Sequence, residues 1–120
     1  MKQFEKAKLD FENALKFVGE DEVLLGNYAW FLTACPDEKY RDTDLAMKVI
    51  TKAGELTKWK SGWIVANLSG VYAAKGDFET ALKKANEALA LAGDDKELAD
   101  EIRFDIGRYK EGKRPEYKDD

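Results

Sequence analysis

One cysteine, Cys35, stands beside Pro36 and a run of carboxylates at Asp37, Glu38, Asp42 and Asp44, in the stretch NYAWFLTACPDEKYRDTDLA. Two chemistries suit such residues: attack by a thiolate, and capture of a hard cation by carboxylate oxygens. A thiolate nucleophile needs a depressed pKa, supplied by a helix N-terminus or a nearby cation, and a base to orient it. Cys35 instead follows an apolar helical segment at its electronegative C-terminal end, and the chain has no histidine. The role of a small, semi-buried apolar residue suits it better. The four carboxylates lack the alternation and central glycine of a calcium loop, so turn formation and helix capping are expected of them rather than metal binding. Acid and base carboxylate pairs carry no signal, because 24 acidic residues supply many accidental ones.

The missing histidine removes the commonest general base and metal ligand together, and no catalytic, metal-binding or cofactor-binding residue is expected. At 120 residues the chain suits one domain, 1–120. A formal net charge of -4 argues against nucleic acid and anionic membranes as partners, since both attract basic patches. Charged residues, 37% of the total, are spread so evenly that no apolar run approaches the roughly 20 residues of a membrane span. A single cysteine excludes an internal disulfide and fits a reducing, cytoplasmic compartment. The opening MKQFEKAKLD lacks the apolar core of a signal peptide.

The elements that would position these residues are helical in pattern. Ala, Leu, Lys and Glu, which lose least on entering a helix, are abundant, and only Pro36 and Pro115 interrupt them. Glycine and acidic clusters at residues 19–22, 75–77 and 92–95 mark helix ends. The spacing predicts an all-α chain with helices over residues 2–17, 22–34, 43–57, 61–75, 78–91 and 95–111. Three of these repeat one another. Ala7, Phe11 and Ala14, then Ala46, Ile50 and Ala53, then Ala81, Ala85 and Ala88 each stand at offsets 0, 4 and 7. That is one helical stripe, and its small residues let a neighbouring helix approach closely. The leading alanines are 39 and then 35 residues apart. The helices before the second and third stripes also correspond: Leu25, Tyr28, Ala29 and Leu32 match Val65, Leu68, Ser69 and Tyr72. The repeating unit is a pair of helices.

In this pattern the chain resembles the tetratricopeptide repeat (TPR) family, whose period is 34 residues. Residues 68–91, LSGVYAAKGDFETALKKANEALAL, carry the family's large-small pair (Leu68, Ser69), the aromatic Tyr72, the turn GDF (Gly76 to Phe78) and the small Ala81 and Ala88. They depart from it in Val65, where an aromatic is typical, and in Gly93, where proline usually closes the repeat. Leu98, Ile102, Ile106 and Tyr109 resemble the family's C-terminal capping helix. The resemblance implies a right-handed alpha-solenoid of antiparallel helix pairs: the second helix of an incomplete repeat (1–20), a stretched repeat (21–58), a regular repeat (60–93), a capping helix (94–112) and a tail (113–120). Tyr28 precedes Ala46 by 18 residues where Leu68 precedes Ala81 by 13, so the stretched unit carries five extra residues. CPDEKYRD is the inserted turn, with Pro36 ending one helix and Asp42 or Thr43 capping the next. This turn and the tail YKEGKRPEY resemble C-terminal repeat blocks of larger bacterial proteins.

In that family the first helix of each unit lines a concave face that holds an extended peptide or a partner's helix. The resemblance therefore implies a non-catalytic scaffold for a protein or peptide partner. Off the core stripes stand Gly26, Asn27, Trp30 and Thr33 on one such helix, and Trp63, Ala66, Asn67 and Gly70 on the next. The candidate groove residues are Asn27, Trp30, Thr33, Trp63, Asn67 and Gly70. Asn27 and Asn67 hold equivalent places, where an amide can bond a peptide backbone from both ends. Trp30 and Trp63 serve either as aromatic anchors or as core. The carboxylate clamp of chaperone-tail-binding members is not expected, because Trp63 and Asn67 stand where its basic pair would be. Two alternatives stay open: an enzyme using Cys35 or a carboxylate pair, and a spacer or self-association segment. The latter would use the face of the first helix bearing Phe4, Phe11 and Leu15, expected to stand uncovered for want of a partner helix.

Overall fold

Among the described residues, five helices begin at a side chain that accepts hydrogen bonds from backbone N–H groups no helical carbonyl can reach. In the computed structural model, which describes residues 2–17 and 19–117, Asp21 caps α2 (Glu22–Ala34), taking the N–H groups of Val23 and Leu24 at 2.9 and 3.0 Å. Asp42, Ser61, Asp77 and Asp95 do the same for α3 (Thr43–Thr57), α4 (Gly62–Ala74), α5 (Phe78–Ala92) and α6 (Lys96–Lys110). α1 is Lys2–Phe17. The described residues contain no strand. Where an expected helix overran the observed one, the extra residue is a cap: Ser61 and Lys75 flank α4, and Asp95 and Glu111 flank α6. α5 runs one residue further than expected, to Ala92, and stops at Gly93, whose φ of 55° is costly for any residue with a Cβ. Met1, Val18 and the last three residues of the expected tail lie outside the described residues.

Two kinds of helix result. α2 and α4 carry a single charged residue between them, Glu22, and are apolar or small nearly all round. A helix of that kind has to be covered on every side, and these two form the centre. α2 buries Leu25, Tyr28, Ala29, Phe31 and Leu32, and α4 buries Ile64, Val65, Leu68 and Val71. α3 and α5 are amphipathic and present the expected stripes: Ala46, Ile50 and Ala53, then Ala81, Ala85 and Ala88, are at most 1% exposed. α4 runs antiparallel to both α3 and α5. Lys75, just past the end of α4, reaches Asp44 at the start of α3 (2.9 Å), and Gly62 at the start of α4 lies against the last turn of α5. α4 also packs on α2, and α6 on α4. The radius of gyration, 13.6 Å, is that of a compact globule of this length.

α1 is held largely by ring contacts. Phe11 lies 5.2 Å from the Tyr28 ring and 5.4 Å from Phe31, and Phe4 meets Tyr40 at 6.4 Å. The expectation of an open face at Phe4, Phe11 and Leu15 is therefore corrected: all three are partly buried against the core, Phe11 on Tyr28 and Phe31 of α2 and Phe4 on Tyr40 of the connecting turn. The outward apolar residues of α1 are Leu9 and Phe17.

That connection, residues 35–42, is closed by its own hydrogen bonds. Asp42 N–H donates to the Leu32 carbonyl (2.9 Å), and Arg41 donates from Nε to Cys35 O (2.6 Å) and from Nη2 to Pro36 O (3.2 Å). Asp37 caps the single 3-10 turn, Glu38–Tyr40, through Lys39 N–H. The extra residues thus satisfy the C-terminal carbonyls of α2 and place a tyrosine on α1.

A Cβ built on Gly62 would stand 3.1 Å from Ala88 O and Ala92 N, backbone atoms that cannot rotate away, whereas one on Gly107 in α6 meets nothing within 4 Å. One substitution should therefore act with opposite signs at two helical sites. Gly107→Ala is expected to raise stability by about 0.5–1 kcal/mol through helix propensity. Gly62→Ala is expected to lower it by about 1–2 kcal/mol through overpacking. Urea denaturation of both variants checks this, and shifts of the same sign would contradict the backbone-close approach of α4 and α5.

Candidate peptide-binding groove

α2 and α4 approach closely because each offers a glycine to the other's tryptophan. A Cβ on Gly26 would lie 2.5 Å from Cζ3 and Cη2 of Trp63, and one on Gly70 would lie 3.1 Å from Cζ3 of Trp30. Residue 26 meets 63 and residue 30 meets 70, so the two helices run in the same direction. Each tryptophan seats one edge of its ring on the opposite helix and remains partly exposed. The choice between core and groove is thus resolved as both: the rim is packed, and both residues line a groove of about 390 Å³. That volume accommodates one or two side chains or a small ligand.

Neighbours of the two tryptophans, α6 and the returning tail complete it. α4 adds Ala66 and Asn67 beside Trp63, and α2 adds Asn27 beside Trp30. α6 crosses opposite with Leu98 and Ile102 at the base and Glu101 and Asp105 beside them. Beyond α6 the chain doubles back at Gly112, whose φ is 71°. Arg108 fixes this return by donating from Nε and Nη2 to the Arg114 carbonyl (3.3 and 2.7 Å). Arg114 then reaches across the molecule and donates from Nη2 to Thr33 O at 2.5 Å, at the C-terminal end of α2, where a cation also meets the favourable end of the helix dipole. Pro115 is buried, and Glu116 and Tyr117 form the last wall.

Of the six residues expected to face a ligand, Asn27, Trp30, Trp63 and Asn67 line this groove together, and Asn27 is exposed. Asn67 is only 5% exposed and donates from Nδ2 to Trp63 O (3.1 Å), which commits one of its amide hydrogens to its own helix. Thr33 and Gly70 do not line it. Thr33 is buried with its hydroxyl donated to Ala29 O (2.7 Å), and Gly70 lies beneath Trp30, near Pro115 and the Tyr109 hydroxyl. Glu101, Asp105, Glu116 and Tyr117 were missed as groove residues, although the apolar pair Pro115 and Tyr117 in an otherwise charged tail is a signal that the tail is packed.

Cys35 is fully buried at the end of α2 with its carbonyl taken by Arg41. No group of three or more Cys, Asp or Glu residues is placed to hold a metal ion among the described residues, and no described helix is long and apolar enough to cross a membrane. Comparison of the chain with protein-family models, with curated proteins and with solved structures finds no match.

Burial pushes the Tyr117 hydroxyl up from 10.0 to about 12, with Cys35 nearby adding to the effect, so the folded tail favours the protonated phenol. The sign follows from linkage. Below pH 10 the contribution of Tyr117 to stability is whole; between pH 10 and 12 the unfolded chain loses this proton first, and stability falls as pH rises. Alkaline titration of tyrosinate absorbance should therefore show a late-titrating phenol that Tyr117→Phe removes. If that variant instead loses a step near the ordinary tyrosine value, the tail does not pack as described.

Proposed function

We propose that this chain is a tetratricopeptide-like array acting as a non-catalytic interaction module that receives an extended segment of a protein or peptide partner between α2, α4 and α6. The observation that carries the reading is the groove itself, in which Asn27 and Trp30 from one helix and Trp63 and Asn67 from the next converge. Three features support the repeat reading: the Ala46 and Ala81 stripes are buried alike, α2 and α4 run parallel, and each helix after α1 packs on the next. Aromatic anchors in a concave, partly apolar site are what peptide recognition uses. Cys35 lies in the core, Asp37 and Asp42 serve as caps and Asp44 as an ion-pair partner, which favours binding over chemistry.

The test is selection of extended peptides from a random display library against the chain, followed by binding to Asn27→Arg, which fills the groove from an exposed position without touching the Trp–Gly contacts. Selected peptides are expected to perturb tryptophan fluorescence and to lose about tenfold or more in affinity for the variant. Selection of no peptide, or of peptides indifferent to the variant, would move the alternative ahead: a spacer or self-associating segment using the outward Leu9 and Phe17 of α1, which are 52% and 87% exposed.

A further inference from the structure

Among the described residues that line the groove, every charged side chain is acidic. Glu101 and Asp105 lie one helical turn apart on α6, and Glu116 comes from the returning tail. Arg108 sits 3.5 Å from Glu116 and partly neutralises it, without itself lining the groove. Glu101 is exposed and makes no ion pair with the described residues. Trp30, Trp63 and Tyr117 bring three aromatic rings to the same space. A carboxylate beside aromatic rings in a partly desolvated cleft attracts a cation twice over, by Coulomb interaction and through the ring quadrupole. It also repels an acidic segment, which is how such a site discriminates.

We propose that the groove is selective for a basic peptide, seating a lysine or arginine side chain among Trp30, Trp63 and Tyr117 with Glu101 as its counter-ion. The proposal rests on the groove reading above and adds the charge of its occupant. A groove of about 390 Å³ has room for one long basic side chain and the backbone beside it. The apolar stem of that side chain suits the Leu98 and Ile102 base.

The test uses the whole chain and three random nonapeptide libraries, one basic, one neutral and one acidic, panned at low and at high salt. Basic peptides are expected to be enriched, more strongly at low salt, because a partly exposed ion pair is screened. Glu101→Gln should weaken a selected basic peptide by about three- to tenfold, and Glu101→Lys by more, while a neutral peptide is unaffected by the first. Both substitutions are at an exposed helical site, and circular dichroism verifies that each variant stays folded. Enrichment of neutral or acidic peptides that are blocked by Asn27→Arg would overturn the charge selectivity and leave the groove standing. If no library yields a peptide blocked by Asn27→Arg, both the selectivity and the groove fail.

Discussion

The distance between α2 and α4 is the constraint on which the rest depends. Two central helices, apolar nearly all round, can be brought together only where side chains leave room, and here room is made twice, by Gly26 under Trp63 and Gly70 under Trp30. The arrangement is reciprocal: each helix supplies one knob and one hole. It fixes the register and direction of the pair, buries one edge of each indole, and turns what remains toward a shared cleft. A tryptophan packed on one edge is already ordered, so a ligand meeting it bears less of the entropic cost of binding.

The other elements serve that pair. α3 and α5 cover it with alanine stripes, which permit close approach but contribute little apolar area apiece, so the larger Ile50, Ile64, Val71 and Ile102 supply the bulk. α6 and the tail close the open side. By reaching Thr33 O, Arg114 ties the last described segment to the C-terminus of α2, where Asp42 N–H and Arg41 already satisfy neighbouring carbonyls. The long connection and the tail thus meet at one helix end. That convergence also explains the burial of Cys35, which lies beneath both.

Much of this was legible in the sequence, for a physical reason. Helix periodicity and capping are local: Asp21, Asp42, Asp77 and Asp95 stand in the turns that mark helix ends, and the offsets of 0, 4 and 7 marked faces that are buried in α3 and α5 and partly buried in α1. Asn27, Trp30, Trp63 and Asn67 were expected on one face from the repeat register together with the concave face that the family resemblance implies. What register could not supply is the third dimension. Thr33 shares a helix face with Trp30 by spacing, yet it lies one turn further on, where Arg114 and the tail cover it. Gly70 was expected among the groove residues and is a seat for Trp30. The cover on Phe4 comes from Tyr40 in the connecting turn, and Glu116 joins Glu101 and Asp105 of α6 from a segment that doubles back. Both depend on long-range packing that no local pattern encodes.

The most direct measurement on the central pair is proton NMR of the chain without ligand, with the glycine Hα and indole ring resonances assigned. Cross-relaxation between Trp63 Hζ3 or Hη2 and Gly26 Hα, and between Trp30 Hζ3 and Gly70 Hα, is expected, with the glycine protons shifted by the rings they face. If neither pair of signals is seen and the glycine shifts are those of an ordinary helix, the tryptophans are not seated on the opposite helix and the groove is not built as described.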